Sequence, residues 1–155
     1  MVQKWSLSDI HDLSGKTAII TGGNTGLGLK TALELVRRGA EVVIGSRSSQ
    51  NGEAAVATIQ SEVANAKVSF RQLELTDPLS ISNFSDAFLN GHDRLDILLH
   101  NSGLGMHPVY ELAGTGRELQ MQINHLGHFS LTCQLMPLIT KTPNARIVQA
   151  TTVPY

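Results

Sequence analysis

Residues 17–36 read TAIITGGNTGLGLKTALELV, and their order decides the fold. Thr17 to Thr21 is a short apolar run suited to a strand. Thr21-Gly22-Gly23-Asn24-Thr25-Gly26-Leu27-Gly28 comes next without a break, and Leu29, Ala32, Leu33 and Val36 then recur at helical spacing. Strand, glycine turn and helix arrive in that order. Gly22 permits a tight turn, Gly26 lets a backbone approach a pyrophosphate with no Cβ in the way, and Gly28 allows close contact between helix and strand. The N–H groups left unpaired at the helix start, with the positive end of the helix dipole, favour a phosphate anion. A tight βα turn that binds nothing uses the same glycines, so the loop by itself leaves both readings open.

Outward from this unit, short apolar runs alternate with helical patterns, the signature of parallel strands joined by crossover helices. The remaining strand candidates are Glu41 to Gly45, Val68 to Leu75, Leu95 to Leu99 and Arg146 to Thr151, rich in Val, Ile and Leu as strands buried on both faces should be. Gly39 stands where a left-handed cap would close the first helix. Ala55, Ile59 and Val63 form a second helical stripe. Ile81, Phe84 and Phe88 form a third, opened by Asp77 as N-cap with Pro78 at the first helical position. A fourth helix, about 116–140, is expected to carry Ile123, Leu126, Ser130 and Cys133 on one side and to kink or end at Pro137. No repeat, linker or low-complexity segment interrupts the chain, so residues 1–155 read as one domain of a doubly wound α/β class.

The charge balance is nearly even, 12 Lys+Arg against 13 Asp+Glu, which offers no basic surface for nucleic acid. The single cysteine, Cys133, excludes an internal disulfide framework and any multi-thiolate metal centre within one chain. Its place on an apolar stripe reads as a buried thiol. His125 and His128 stand three apart on a helix but have no third ligand at metal spacing. Asp93 and Asp96 read as turn and cap residues, and Trp5 with Leu7 and Ile10 as a flap on the sheet. The stretch 119–140 lacks Asp, Glu, Lys and Arg yet carries several amides and two histidines, which argues against a membrane span. The N-terminus has no apolar h-region, so a cytoplasmic protein is expected.

A second feature bears on the ligand. An Asp or Glu at the end of the second strand would signal NAD by holding the adenosine ribose. Here Gly45-Ser46-Arg47 occupies that place, with Arg47 nineteen residues past Gly28. A guanidinium can hold a 2′-phosphate bidentately, which points to NADP. A solvated surface arginine is the plainer alternative.

Three motifs together resemble the short-chain dehydrogenase/reductase family: Thr21-Gly-x-x-x-Gly-x-Gly, the His100-Asn101-Ser102-Gly103 turn after the fourth strand, and Gln122-Ile123-Asn124-His125-Leu126-Gly127-His128-Phe129. The wording is most like its retinol-dehydrogenase-like, NADP-preferring members. The resemblance implies a Rossmann-type sheet in the order 3-2-1-4-5, with cofactor across the carboxyl ends of the strands. It places Thr21, Gly22, Asn24, Gly26, Leu27 and Gly28 on the pyrophosphate and Arg47 near the 2′-phosphate. Glu74 falls beside the adenine, where the family usually has Asp. Asn101, Ser102 and Gly103 would line the adenosine-ribose side, although the family's turn reads Asn-Asn-Ala-Gly and His100 and Ser102 depart from it. Asn124 matches a helix asparagine that assists a catalytic lysine through water, and Thr152 takes the place of the catalytic serine.

The resemblance also implies a small carbonyl or alcohol substrate. The family's Tyr-x-x-x-Lys pair, which handles the substrate proton, belongs on the next helix, and this sequence stops at Tyr155. A truncated enzyme is therefore expected. The alternative is a catalytically inactive nucleotide-binding or dimerising protein, pairing with itself or a relative through an uncovered sheet edge.

Overall fold

A computed structural model describes residues 6–105 and 107–151; Trp5, Thr152 and Tyr155 lie outside the described residues. Five parallel strands form one sheet: β1 (Thr17–Thr21), β2 (Glu41–Ser46), β3 (Val68–Gln72), β4 (Ile97–His100) and β5 (Arg146–Gln149), in the order β3-β2-β1-β4-β5. Helices α1 (Gly26–Arg37) and α2 (Ser49–Glu62) cover one face. The other carries α3 (Pro78–Gly91) and a long helical segment made of α4 (Leu119–Met121), a π-helical stretch (Gln122–Leu126) and α5 (Gly127–Ile139). This is the doubly wound Rossmann-type arrangement that the motifs imply.

β1 shows why the sheet needs two layers. Ile19 enters the core under α3 and α5, whereas Ala18 and Ile20 enter the core under α1 and α2, and all three are fully buried. Successive side chains of a strand point to opposite faces, so an unbroken apolar run requires cover on both. The outer strands escape this rule: β3 is only partly buried and every residue of β5 is exposed. β3 also stops at Gln72, short of the expected Leu75, because its neighbour β2 ends at the paired Ser46 and Glu74 N–H turns to Ser80 Oγ. β5 ends at Gln149 for the same reason, opposite the last residue of β4, His100.

The helix signals translate into bonds. At the end of α1, Gly39 has φ +89°, its N–H bonds Val36 O, and Ala40 N–H bonds Leu35 O, the paired bonds of a left-handed cap. Asp77 caps α3 by accepting the Leu79 N–H at 2.9 Å, with Pro78 just inside. The fourth helix departs from expectation. It starts at Leu119, capped by the Glu118 carboxylate on the Gln120 and Met121 N–H groups, and continues past Pro137 to Ile139. Its buried face holds His128, Leu131, Leu135 and Leu138, whereas Cys133 is exposed. The π-helical stretch accounts for this. One extra residue in a turn rotates everything beyond it by about 100°, so a stripe drawn at 3.6-residue spacing through Ile123 leaves the core side by Cys133.

Candidate functional site

At the carboxyl ends of the strands the glycine turn opens into a cleft of about 520 Å³. Gly22 (φ +65°) and Gly26 (φ +53°) hold left-handed conformations that other residues adopt only with strain. The Gly22 N–H donates to Gly45 O at 2.8 Å and pins the turn to β2. A Cβ on Gly28 would strike Gly22 O and the Asn101 side chain, so this glycine seats α1 against the strand. The N-cap of α1, Thr25, makes no side-chain cap bond, which leaves the first-turn N–H groups without that partner, and Thr25, Gly26 and Leu27 line the cleft. Apart from its chain neighbours and the helix backbone, nothing lies within 4 Å of where a Cβ on Gly26 would sit.

The opposite wall is the turn after β4. Thr21 Oγ1 accepts the N–H groups of Asn101 and Ser102, each at 3.0 Å. The Asn101 amide reaches back to donate to Thr21 O at 3.1 Å and Gly22 O at 3.2 Å. The two turns are thereby tied together across β1 and β4. Beyond them Asn124, in the π-helical stretch, grips Leu104 with both amide atoms, accepting from its N–H at 2.7 Å and donating to its carbonyl at 3.1 Å.

Arg47 stands at the outer end of the cleft, its side chain 80% exposed, with Nε 3.8 Å from Glu74 Oε2. Gln72 holds the Arg47 carbonyl at 3.2 Å, and Glu74 Oε1 accepts from Thr76 N–H at 3.0 Å and its hydroxyl at 2.8 Å. Ser46, beside Arg47, lines the same end with Ser48 and Asn51, and no motif singles out the last two. Their signal in the sequence is the N-cap of α2, where Ser48 Oγ accepts from Asn51 N–H at 3.2 Å.

Gly22, Asn24, Gly26, Leu27, Arg47, Glu74, Asn101, Ser102 and Gly103 all line the cleft. Thr21 and Gly28 do not: both are buried beneath it, where their roles are to hold its floor. Thr152 lies outside the described residues. His125 and His128 do not converge, since His125 is exposed against Phe129 and His128 is buried against Thr21.

The model of the family described as short chain dehydrogenase matches residues 16–153. The chain belongs to that family. Among curated short-chain dehydrogenase relatives, retinol dehydrogenase 12 of Bos taurus is 41% identical over 143 residues, covering 92% of this chain and 45% of that protein. Among solved structures, an uncharacterized protein of Mycobacterium Paratuberculosis is 40% identical with a TM-score of 0.75, over 86% of this chain and 46% of the other. RhlG of Pseudomonas aeruginosa, solved as an NADP active-site complex, is 26% identical with a TM-score of 0.72, over 89% of this chain and 53% of that one. This short-chain dehydrogenase chain thus spans about half the length of the relatives it matches. His100 is buried beside His128 rather than directed into the cleft, and Ser102 keeps its backbone bond to Thr21. Among the described residues no helix is long and apolar enough to cross a membrane.

Proposed function

We propose that the cleft binds a nicotinamide dinucleotide, NADP in preference to NAD, and that these residues form the cofactor-binding part of an oxidoreductase acting on a small carbonyl or alcohol. The observation that carries this reading is the α1 N-terminus: Thr25 makes no side-chain cap bond to it, and Thr25, Gly26 and Leu27 line a cleft walled by two left-handed glycines. The donor set fits a pyrophosphate, since N–H groups and a helix dipole favour anions and the open side of Gly26 leaves room for one. The NADP complex of the related RhlG adds support.

In this reading Gly22, Asn24, Gly26 and Leu27 surround the pyrophosphate, while Thr21 and Gly28 hold that surface from beneath. Arg47 takes the 2′-phosphate. Its contact with Glu74 uses Nε, which leaves the terminal nitrogens of the guanidinium to face the ligand. Glu74 orients Arg47 beside the adenine, and Asn101, Ser102 and Gly103 form the wall along the ribose. When bound, the nicotinamide supplies or takes up a hydride. Asn124 fixes the Leu104 backbone at the inner end of that wall, and Thr152, aligned with the family's catalytic serine, donates a hydrogen bond to the substrate oxygen.

Titrating the protein with NADPH and NADH tests this. NADPH should bind about tenfold more tightly or better, and Arg47→Ala should bring the two together. Equal affinities in the unmutated chain would defeat the NADP assignment, and no binding of either would defeat the cofactor site. A second reading, a nucleotide-binding subunit that pairs with another chain, draws on β5, an edge strand exposed along its length.

A further inference from the structure

Beneath the cleft, two buried imidazoles stack. His100 at the end of β4 and His128 in the first turn of α5 have ring centroids 4.5 Å apart and planes 24° from parallel. His128 Nε2 lies 2.8 Å from Thr21 Oγ1. That hydroxyl already accepts two backbone N–H groups, from Asn101 and Ser102. A hydroxyl has two lone pairs and one proton, and a backbone N–H can only donate. The Thr21 proton therefore goes to His128, Nε2 is bare, and the ring proton sits on Nδ1, which faces Asn124 O at 3.4 Å.

The same count applies to His100. Its Nδ1 faces Gln149 Oε1 at 3.0 Å, the Gln149 amide nitrogen is turned to Ala150 O, and Nε2 receives the Thr132 hydroxyl at 3.1 Å. Burial, and then the neighbouring His100, push the His128 ring down to about 4, which keeps it neutral. The titratable groups acting on it are His100 from β4 and His125 from the π-helical stretch. β1 brings only Thr21 to it, and β5 brings Gln149 to its stacking partner; neither ionises.

We propose that His128 is a positioning residue of the cleft: as the neutral Nδ1–H tautomer it takes the Thr21 proton at Nε2, reserving both Thr21 lone pairs for the amides of the Asn101–Ser102 turn. The turn forms one wall of the cleft, so the imidazole acts on the ligand through Thr21 and touches none of it. The ligand half of this rests on the nucleotide reading; the tautomer and the turn do not. Removing the acceptor frees the Thr21 proton to compete for space with the two amides, and the wall loosens.

Nitrogen-15 spectra of the histidines read the tautomer directly in the full 155-residue chain. His128 should show a protonated Nδ1 and a bare Nε2 at neutral pH, unchanged through about pH 6.5, where an ordinary histidine titrates. His128→Leu removes the acceptor, and His128→Gln returns an oxygen near the Nε2 position. In the leucine variant the Asn101 and Ser102 amides should exchange about tenfold faster and NADPH should bind about tenfold more weakly. The glutamine variant should recover most of both losses. A protonated Nε2 at neutral pH would overturn the proposal, as would wild-type exchange in the leucine variant or a glutamine variant equally impaired. Should the leucine variant not fold, the tautomer and the glutamine variant decide. If tautomer and exchange behave as expected while no chain binds NADPH, the nucleotide reading falls and the support of the turn by His128 stands.

Discussion

Asp96 is a buried carboxylate at the end of the sheet remote from the cleft, and three groups converge on it. Thr17 N–H donates at 3.0 Å, Arg94 approaches with two nitrogens at 2.7 Å each, and Lys16 Nζ lies 3.1 Å away. Burial by itself would raise its pKa, but the bonds from Arg94, Thr17 and Lys16 outweigh it and hold the group down at about 2. A depressed pKa stabilises the folded state above the unfolded value, near pH 4, and that contribution disappears as pH falls toward 2. Arg94 and Lys16 are partly exposed, so solvent screening trims the gain. Asp96→Asn should cost about 2 kcal/mol in urea unfolding at neutral pH and far less near pH 2. An equal loss at both would show that the ion pairs are not its source. In the sequence Asp96 reads as a turn or cap residue, because its partners Lys16 and Thr17 lie some 80 positions away and only folding brings them together. Arg47, by contrast, is legible, since its place is set directly by the end of β2.

At the scale of the element, the fourth helix carries the sharpest lesson. Its presence and apolar character are plain in the sequence, but its start at Leu119 and its run past Pro137 are not, and the inward face depends on where an extra residue enters the turn. Nothing in the 3.6-residue period marks Gln122–Leu126 as π-helical. The next residue is tightly fitted: a Cβ on Gly127 would come 2.5 Å from Leu75 O and 2.8 Å from Leu75 Cβ, on the loop that also carries Glu74. Helix propensity favours alanine over glycine by about 1 kcal/mol. Overpacking against backbone acts the other way, by about 1–3 kcal/mol, and should win. Gly127→Ala is therefore expected to lower stability by about 1 kcal/mol or more and to displace the Leu75 loop. A gain in melting temperature would mean that the loop yields freely.

At the scale of the whole molecule, helices cover both faces of the central strands, and among the described residues β5 forms one margin of the sheet. Among the described residues β5 pairs only with β4, and Ile147 and Val148, pointing to opposite faces, are 44% and 43% exposed. Open strand edges with apolar side chains invite pairing with another chain. The 155-residue chain should associate in sedimentation measurements, and Val148→Lys should shift it toward monomer with little change in stability; a monomer at all concentrations would remove the pairing reading. The sequence by itself determined the class of fold and the position of the cleft. Alternating strands and helices leave few ways to bury β1 on both faces, and the glycine turn marks the carboxyl end where a ligand can enter. The motifs named nine of the residues that line that cleft, and tertiary structure alone decided that Thr21 and Gly28 hold it from below. Thr21, His128, Asn101 and Asn124 act through bonds between segments far apart in the chain, and hydrogen-bond partners at that distance leave no local period or spacing to read.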